Sequence, residues 1–203
     1  MTIQENKMKI KQIICGPLEA NGYIIYTDES REAFIIDPGY SHKKYTSFIN
    51  DEGLNVKGIL LTHHHPDHSG KADILASEFD CQIYMHRGEL PYYKGRVDIV
   101  LEGDEILTFG DEALKVIHTP GHSTGGVCFY SEKSKLAFTG DTVFSVEIGY
   151  SHFPGGSLQQ MTDSINNIIN KWENDIKIYP GHGGSSLMKY VKKDNPEFIE
   201  LLI

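Results

Sequence analysis

The run Thr62-His63-His64-His65-Pro66-Asp67-His68 is the densest group of side chains in this sequence that could do chemistry. Imidazole nitrogens and a carboxylate at this spacing point to divalent metal ions. His63 and His65 are two residues apart. In extended backbone they project the same way and can share one ion at roughly 2.0–2.1 Å. His64, between them, faces away. Pro66 suits the first turn of a helix, and Asp67 and His68 then project in a new direction, toward a second ion. One histidine alone would read as a satisfied core or loop residue. Four fixed positions between a strand and a helix are a metal motif.

Two ions need further ligands. His122 lies in His118-Thr119-Pro120-Gly121-His122-Ser123, Asp141 in Phe138-Thr139-Gly140-Asp141-Thr142, and His182 in Ile178-Tyr179-Pro180-Gly181-His182-Gly183. Each follows a β-rich run and is flanked by Gly or Pro, which lets the backbone turn sharply and present a side chain at a loop tip. The expected sets are His63, His65 and His122 on one ion and Asp67, His68 and His182 on the other. Asp141 would bridge, since a carboxylate can span ions roughly 3.5–4 Å apart. Zinc is the expected metal, and iron or manganese suits the same N/O donors. Such a pair makes a bridging hydroxide available near neutral pH and polarises a carbonyl, so the chemistry is metal-assisted hydrolysis. Asp67 is both ligand and the group that orients the nucleophile or shuttles its proton.

These loops need a scaffold. The strands expected from β-rich runs are Ile10-Cys15, Tyr23-Tyr26, Ala33-Ile36, Gly58-Leu61, Gln82-Met85, Leu114-Ile117, Val127-Tyr130, Lys135-Phe138 and Ile176-Tyr179. Helical periods fit Lys43-Glu52, Ser69-Phe79, Leu158-Trp172 and Ser185-Lys193. Strands come first, then helices and strands alternate, which predicts a two-sheet α/β arrangement with outer helices. Leu60-Leu61-Thr62-His63 and Phe138-Thr139-Gly140-Asp141 are matching strand ends in the two halves.

A length of 203 residues suits one domain with a real core, expected to span 1–203. The net charge of -9 offers no basic footprint for nucleic acid or an anionic membrane, so a small-molecule substrate is expected. Cys15, Cys81 and Cys128 are odd in number and far apart, which argues against a disulfide framework and fits a reducing cytoplasm. Met1 to Gln12 is polar, without an apolar signal core, and no stretch of 18 apolar residues occurs. Among the other polar residues, Asp37 is read as orienting a ligand and His118 as an outer partner of the site. His86 and His42 are read as ordinary rim and solvated residues.

In order and spacing, Ile36-Asp37-Pro38-Gly39, the His63–His68 run, His118-Thr119-Pro120-Gly121-His122-Ser123, Thr139-Gly140-Asp141-Thr142-Val143-Phe144 and Tyr179-Pro180-Gly181-His182-Gly183 resemble the metallo-β-lactamase-like hydrolase superfamily. Within it the chain is similar to the short glyoxalase II-like (hydroxyacylglutathione hydrolase-like) group, whose bacterial members also share Ile148-Gly149 followed by Phe153-Pro154-Gly155-Gly156. The resemblance implies a four-layer αββα sandwich with the metals at one edge of two mixed sheets. It implies hydrolysis of a thioester of the S-acylglutathione type. Persulfide dioxygenase, lactonase and phosphodiesterase activities are the rivals within the fold, and a class B β-lactamase fits the full set with Asp141 less well. A metal-stabilised binding domain without turnover is the rival outside enzymes.

The sequence departs from the pattern in two places. It ends at Ile203, where full-length glyoxalase II enzymes continue into a helical glutathione-binding domain, so no such domain is expected. After Ile148-Gly149 the short relatives carry Arg and Asp, whereas Tyr150 and His152 stand here as the candidate substrate contacts.

Overall fold

Ala20–Tyr26 is buried at all seven positions, as a strand covered on both faces must be. It lies inside the first of two six-stranded sheets in a computed structural model that describes residues 8–202. The polar N-terminal stretch therefore falls, through residue 7, outside the described residues. The first sheet has the order β1 (Lys9–Cys15), β2 (Ala20–Tyr26), β3 (Glu32–Ile36), β4 (Asn55–Leu60), β5 (Gln82–His86), β6 (Ile99–Leu101). Its first three strands pair antiparallel and the rest parallel. Parallel neighbours need a crossover, which α1 (His42–Glu52) supplies between β3 and β4. Two short helices, α2 (Pro66–Ser69) and α3 (Ala72–Glu78), supply it between β4 and β5.

The second sheet runs β12 (Ser186–Leu187), β11 (Lys177–Pro180), β10 (Leu136–Gly140), β9 (Val127–Ser131), β8 (Glu112–His118), β7 (Ile106–Phe109). Only β10 and β11 pair parallel among the named strands of this sheet, joined through α4 (Leu158–Asn167).

Three apolar layers bind these parts. Tyr23, Ile25, Phe34 and Leu60 of the first sheet meet Phe109, Val116, Phe129 and Phe138 of the second. Outside the first sheet, Ile24, Ile35 and Ile83 pack on Tyr45, Ile49 and Leu75 of the helices. Outside the second, Ala137 and Ile178 pack on Met161 and Ile165 of α4, on Val191 of α5 (Met188–Asp194) and on Phe198 of α6 (Pro196–Glu200). The result is the expected αββα sandwich of two mixed sheets. Phe138 is fully buried between them, its ring centroid 5.1 Å from Tyr23 and 5.4 Å from Tyr179. Phe138→Ala is expected to lower stability by about 3–5 kcal/mol, measured by urea unfolding.

Several elements differ from the sequence expectation. The expected helix Ser185-Lys193 begins as β12, because Ser186 and Leu187 pair with β11, and turns helical only at Met188. Ser69-Phe79 is interrupted at Gly70 and Lys71, with Pro66 starting an earlier short helix. Leu158-Trp172 ends as an α-helix at Asn167, since Ile168 leaves helical geometry with φ -123° and one 3-10 turn follows. Strands β6 and β7 and helix α6 had no expected counterpart; each is five residues or fewer. All three cysteines are buried and free. Burial pushes the Cys81 and Cys128 thiols up to about 11.

Candidate metal centre

The C-terminal ends of β4, β8, β10 and β11 lie at one edge of the sandwich, where α/β proteins commonly build sites. The loops leaving these strands carry His63 to His68, His122, Asp141 and His182. Three groups of donor atoms form there, each with all its atoms within 4.8 Å of one another; one, Asp37 with His63 and His68, lies behind the other two. Those two are His63, His65 and His122, and Asp67, His68 and His182.

Asp141 stands between these last two groups. Its Oδ1 is 3.4 Å from His68 Nε2, and its Oδ2 is 3.6 Å from both His122 Nε2 and His182 Nε2. Asp67 Oδ2 is 3.5 Å from His68 Nε2 and 3.4 Å from His182 Nε2. Donor separations near 3.4 Å match the edge of a tetrahedron whose bonds are about 2.0–2.1 Å.

The hydrogen bonds behind these rings fix their tautomers. His122 Nδ1 donates to the Tyr150 carbonyl at 2.7 Å, His182 Nδ1 to the Leu18 carbonyl at 3.1 Å, and His68 Nδ1 to Asp37 Oδ2 at 3.2 Å. Thr62 Oγ1 donates to Asp37 Oδ2 at 2.5 Å and so accepts from His63 Nδ1 at 3.0 Å. In all four rings the Nε2 lone pair is therefore left for the centre. His63 Nε2 and Asp141 Oδ1 are buried there without any hydrogen-bond partner. His65 Nδ1 and His122 Nε2 face each other at 2.9 Å, and His68 Nε2 and His182 Nε2 at 3.3 Å. Ring nitrogens converging this closely, beside orphaned buried acceptors, form a pocket of donors suited to a cation. The residues therefore fit divalent ions.

The titration of the metal-free groups agrees. Burial, with nearby His68 and His122, pushes His63 well below the ordinary histidine range, and burial with His122 pushes His65 down to about 4. Both rings are neutral and able to ligate at pH 7. Burial opposes charge on His68, but Asp141, Asp37 and Asp67 outweigh it and lift its pKa to about 9. Burial alone would raise Asp67, but the His182 hydrogen bond and the charge of His68 draw it down to about 2. Without a metal, the carboxylates hold a proton on His68 in its place.

Asp37 sits where an orienting residue must. Its carboxylate accepts from Thr62 N at 2.8 Å, from Thr62 Oγ1 and from His68 Nδ1, and its own φ of 47° is left-handed. His118 touches none of the donor side chains. Its Nε2 donates to the Thr124 carbonyl at 3.0 Å and steadies the loop that carries His122. Tyr150 acts through its backbone carbonyl on His122, while its side chain is 60% exposed beside the exposed His152. The Phe153 ring lies against His65 and His122, at 5.2 and 6.0 Å between centroids. Gly121-His122-Ser123-Thr124-Gly125 has the spelling of a serine-hydrolase elbow, but Ser123 is fully buried in the loop after β8.

Sequence reasoning missed Glu89. This fully buried carboxylate accepts from His64 N at 2.8 Å, from the His64 ring, and from Gly125 N at 2.5 Å. It ties the His63–His65 loop to the His122 loop, and it explains why His64 faces away. Its only sequence signal is an acid beside the short turn after β5. Glu89→Gln replaces one accepting oxygen with a donor. It is expected to weaken metal affinity about 10–100-fold, read by competition with a chromogenic chelator.

The metallo-beta-lactamase superfamily model matches residues 15–182, and the chain belongs to that superfamily. With its His/Asp groups it is a metal-dependent hydrolase of this class. The chain is 35% identical to the probable polyketide biosynthesis zinc-dependent hydrolase PksB of Bacillus subtilis (strain 168), over 79% of this chain and 71% of that one. It is 32% identical to the hydroxyacylglutathione hydrolase GloC of Haemophilus influenzae, over 93% and 97% of the two chains. The crystal structure of BLEG-1, described as a B3 metallo-beta-lactamase, superposes with a TM-score of 0.86 at 31% identity, covering 93% and 98%. Among the described residues, no helix is long and apolar enough to cross a membrane.

Proposed function

We propose that the chain is a dinuclear thioester hydrolase. The observation that carries this reading is Asp141, whose two carboxylate oxygens reach the donor atoms of both groups. His63, His65 and His122 would hold one ion and Asp67, His68 and His182 the other, with Asp141 available to both. Ions held in this way would supply a water whose pKa is lowered to about 7 and a Lewis acid for a carbonyl oxygen. Zinc fits the nitrogen-rich set, as it does the name of the PksB relative, and iron or manganese fits too.

The chain's own groups do the rest. Asp67 orients the attacking water by accepting its hydrogen bond. Phe153 shields His65 and His122 from bulk water. The choice of a thioester follows from the leaving group. A thiol titrates near 8.5 and leaves as thiolate, whereas an amide nitrogen must be protonated as it leaves. In this reading the histidines and aspartates of the centre serve as metal donors, which suits a leaving group that needs no general acid. S-acylglutathione is the reference substrate, by resemblance and by the name of GloC.

The test is metal analysis of the purified chain with assays on S-lactoylglutathione, an uncharged and a cationic S-acetyl thioester, a β-lactam, an acyl lactone and glutathione persulfide. Thiol release from a thioester with two ions bound per chain is expected. Fewer than two ions at saturation, or no thioester turnover with zinc, iron or manganese, overturns the reading. Oxygen uptake with the persulfide would instead support the dioxygenase reading.

A further inference from the structure

A cleft of about 920 Å³ opens from His122, Asp141 and His182 toward α6. Its walls combine exposed apolar side chains, Val146, Tyr150, Phe153 and Leu158, with the carboxylates of Glu147, Glu197 and Glu200. No Lys or Arg is among the described residues lining it. The acidic wall is held in place. Fully buried Asn195 donates from Nδ2 to the Phe144 and Glu147 carbonyls, at 3.2 and 2.8 Å. Glu197 Oε2 accepts from Ile148 N at 2.9 Å. Loop 144–148 and the start of α6 thus form one surface, with Tyr150 and Phe153 5.3 Å apart between ring centroids.

We propose that this cleft receives the non-reacting part of the substrate and selects an ammonium-bearing group over an anionic one. The inference rests on the thioester reading for its chemistry, but the selectivity belongs to the cleft. The inner end must accept an electron-rich carbonyl and thiolate. The outer walls present three negative charges and aromatic faces, which attract an organic cation and repel a carboxylate. An S-acylglutathione carries two carboxylates against one ammonium, so it is net negative, and it meets no cation from Lys or Arg here. Tyr150, 60% exposed, contributes an uncharged aromatic ring to this wall.

The test uses three matched probes on the metal-loaded full chain at pH 8, where an ordinary histidine is neutral. They are S-methyl thioethers of thiocholine, of 2-methoxyethanethiol and of 2-mercaptoethanesulfonate, whose sulfonate is a poor metal ligand. Affinities are read by NMR titration, and the corresponding S-acetyl thioesters give kcat/KM. The expected order is cation, neutral, anion, spanning about tenfold or more. Glu147→Gln/Glu197→Gln/Glu200→Gln, with unchanged metal content, should compress the span to about threefold or less, as should about 0.5 M salt acting on the parent chain. Should the triple variant not fold, Glu200→Gln alone and the salt series carry the test. An equal or reversed order in the parent overturns the proposal, as does an order that neither the variants nor salt diminish. If the thioethers follow the order while no thioester is cleaved, the hydrolase reading falls and the cleft's selectivity stands.

Discussion

Asp141→Ala is expected to strip both ions from the protein together and to abolish hydrolysis. The carboxylate lies between the two donor groups, with separate oxygens toward His68 and toward His122 and His182. Its removal leaves each histidine group one ligand short and removes the negative charge that each shares. It also leaves buried His63 Nε2, already without a hydrogen-bond partner, in a centre lacking a cation. Elemental analysis after dialysis should show both ions lost in parallel, with kcat/KM lower by about 10³-fold or more. Retention of one full equivalent would show that Asp141 serves a single ion. Asp141→Asn is the milder control, because it keeps the shape and one accepting oxygen but not the charge.

Gly181→Ala is expected to be nearly as damaging, although it removes no ligand. A Cβ at this position would stand 2.0 Å from Asp141 Oδ1 and 2.7 Å from His68 Cε1. Neither neighbour can yield without losing its place. Asp141 must reach both groups, and His68 is fully buried and tied to Asp37. The loop itself is pinned from β2: Asn21 N donates to the Gly181 carbonyl at 2.6 Å, and the Tyr23 hydroxyl donates to the Pro180 carbonyl at 2.6 Å. One methyl group therefore displaces a ligand, and metal affinity should fall about 100-fold. Isothermal titration with zinc measures the loss, while circular dichroism should show the fold intact. Near-parental affinity would mean that the Gly181 loop moves more freely than its hydrogen bonds imply.

These two variants show what a sequence makes legible and what it hides. The donor residues are short-range features, a strand end followed by Gly or Pro and a polar side chain, and a one-dimensional pattern carries that well. The sandwich is legible for the same reason, since runs such as Tyr23-Tyr26 and Val127-Tyr130 are β-rich whatever they pair with. Glu89 was not legible, because its meaning lies in reaching His64 and Gly125, residues 25 and 36 positions away. Strand β12 was hidden because two residues have no period of their own, and pairing with β11 decides their conformation. Tyr150 has a role that its side-chain type could not announce: its carbonyl, which every residue has, holds His122. Gly181 was visible only as a turn former, whereas the space its missing side chain leaves is a property of the assembled centre.

The donor atoms come from both sheets, and this bears on how the chain is born. During synthesis His63 to His68 emerge first, while His182 follows 119 positions later. At about 5–20 residues per second, that interval lasts on the order of ten seconds. Throughout it, the nascent chain exposes a histidine cluster able to grip a metal with the wrong partners or the wrong stoichiometry. The lasting site exists only when Leu18 and Tyr150 have docked their carbonyls behind His182 and His122. A correctly filled centre is therefore a record that both sheets have met.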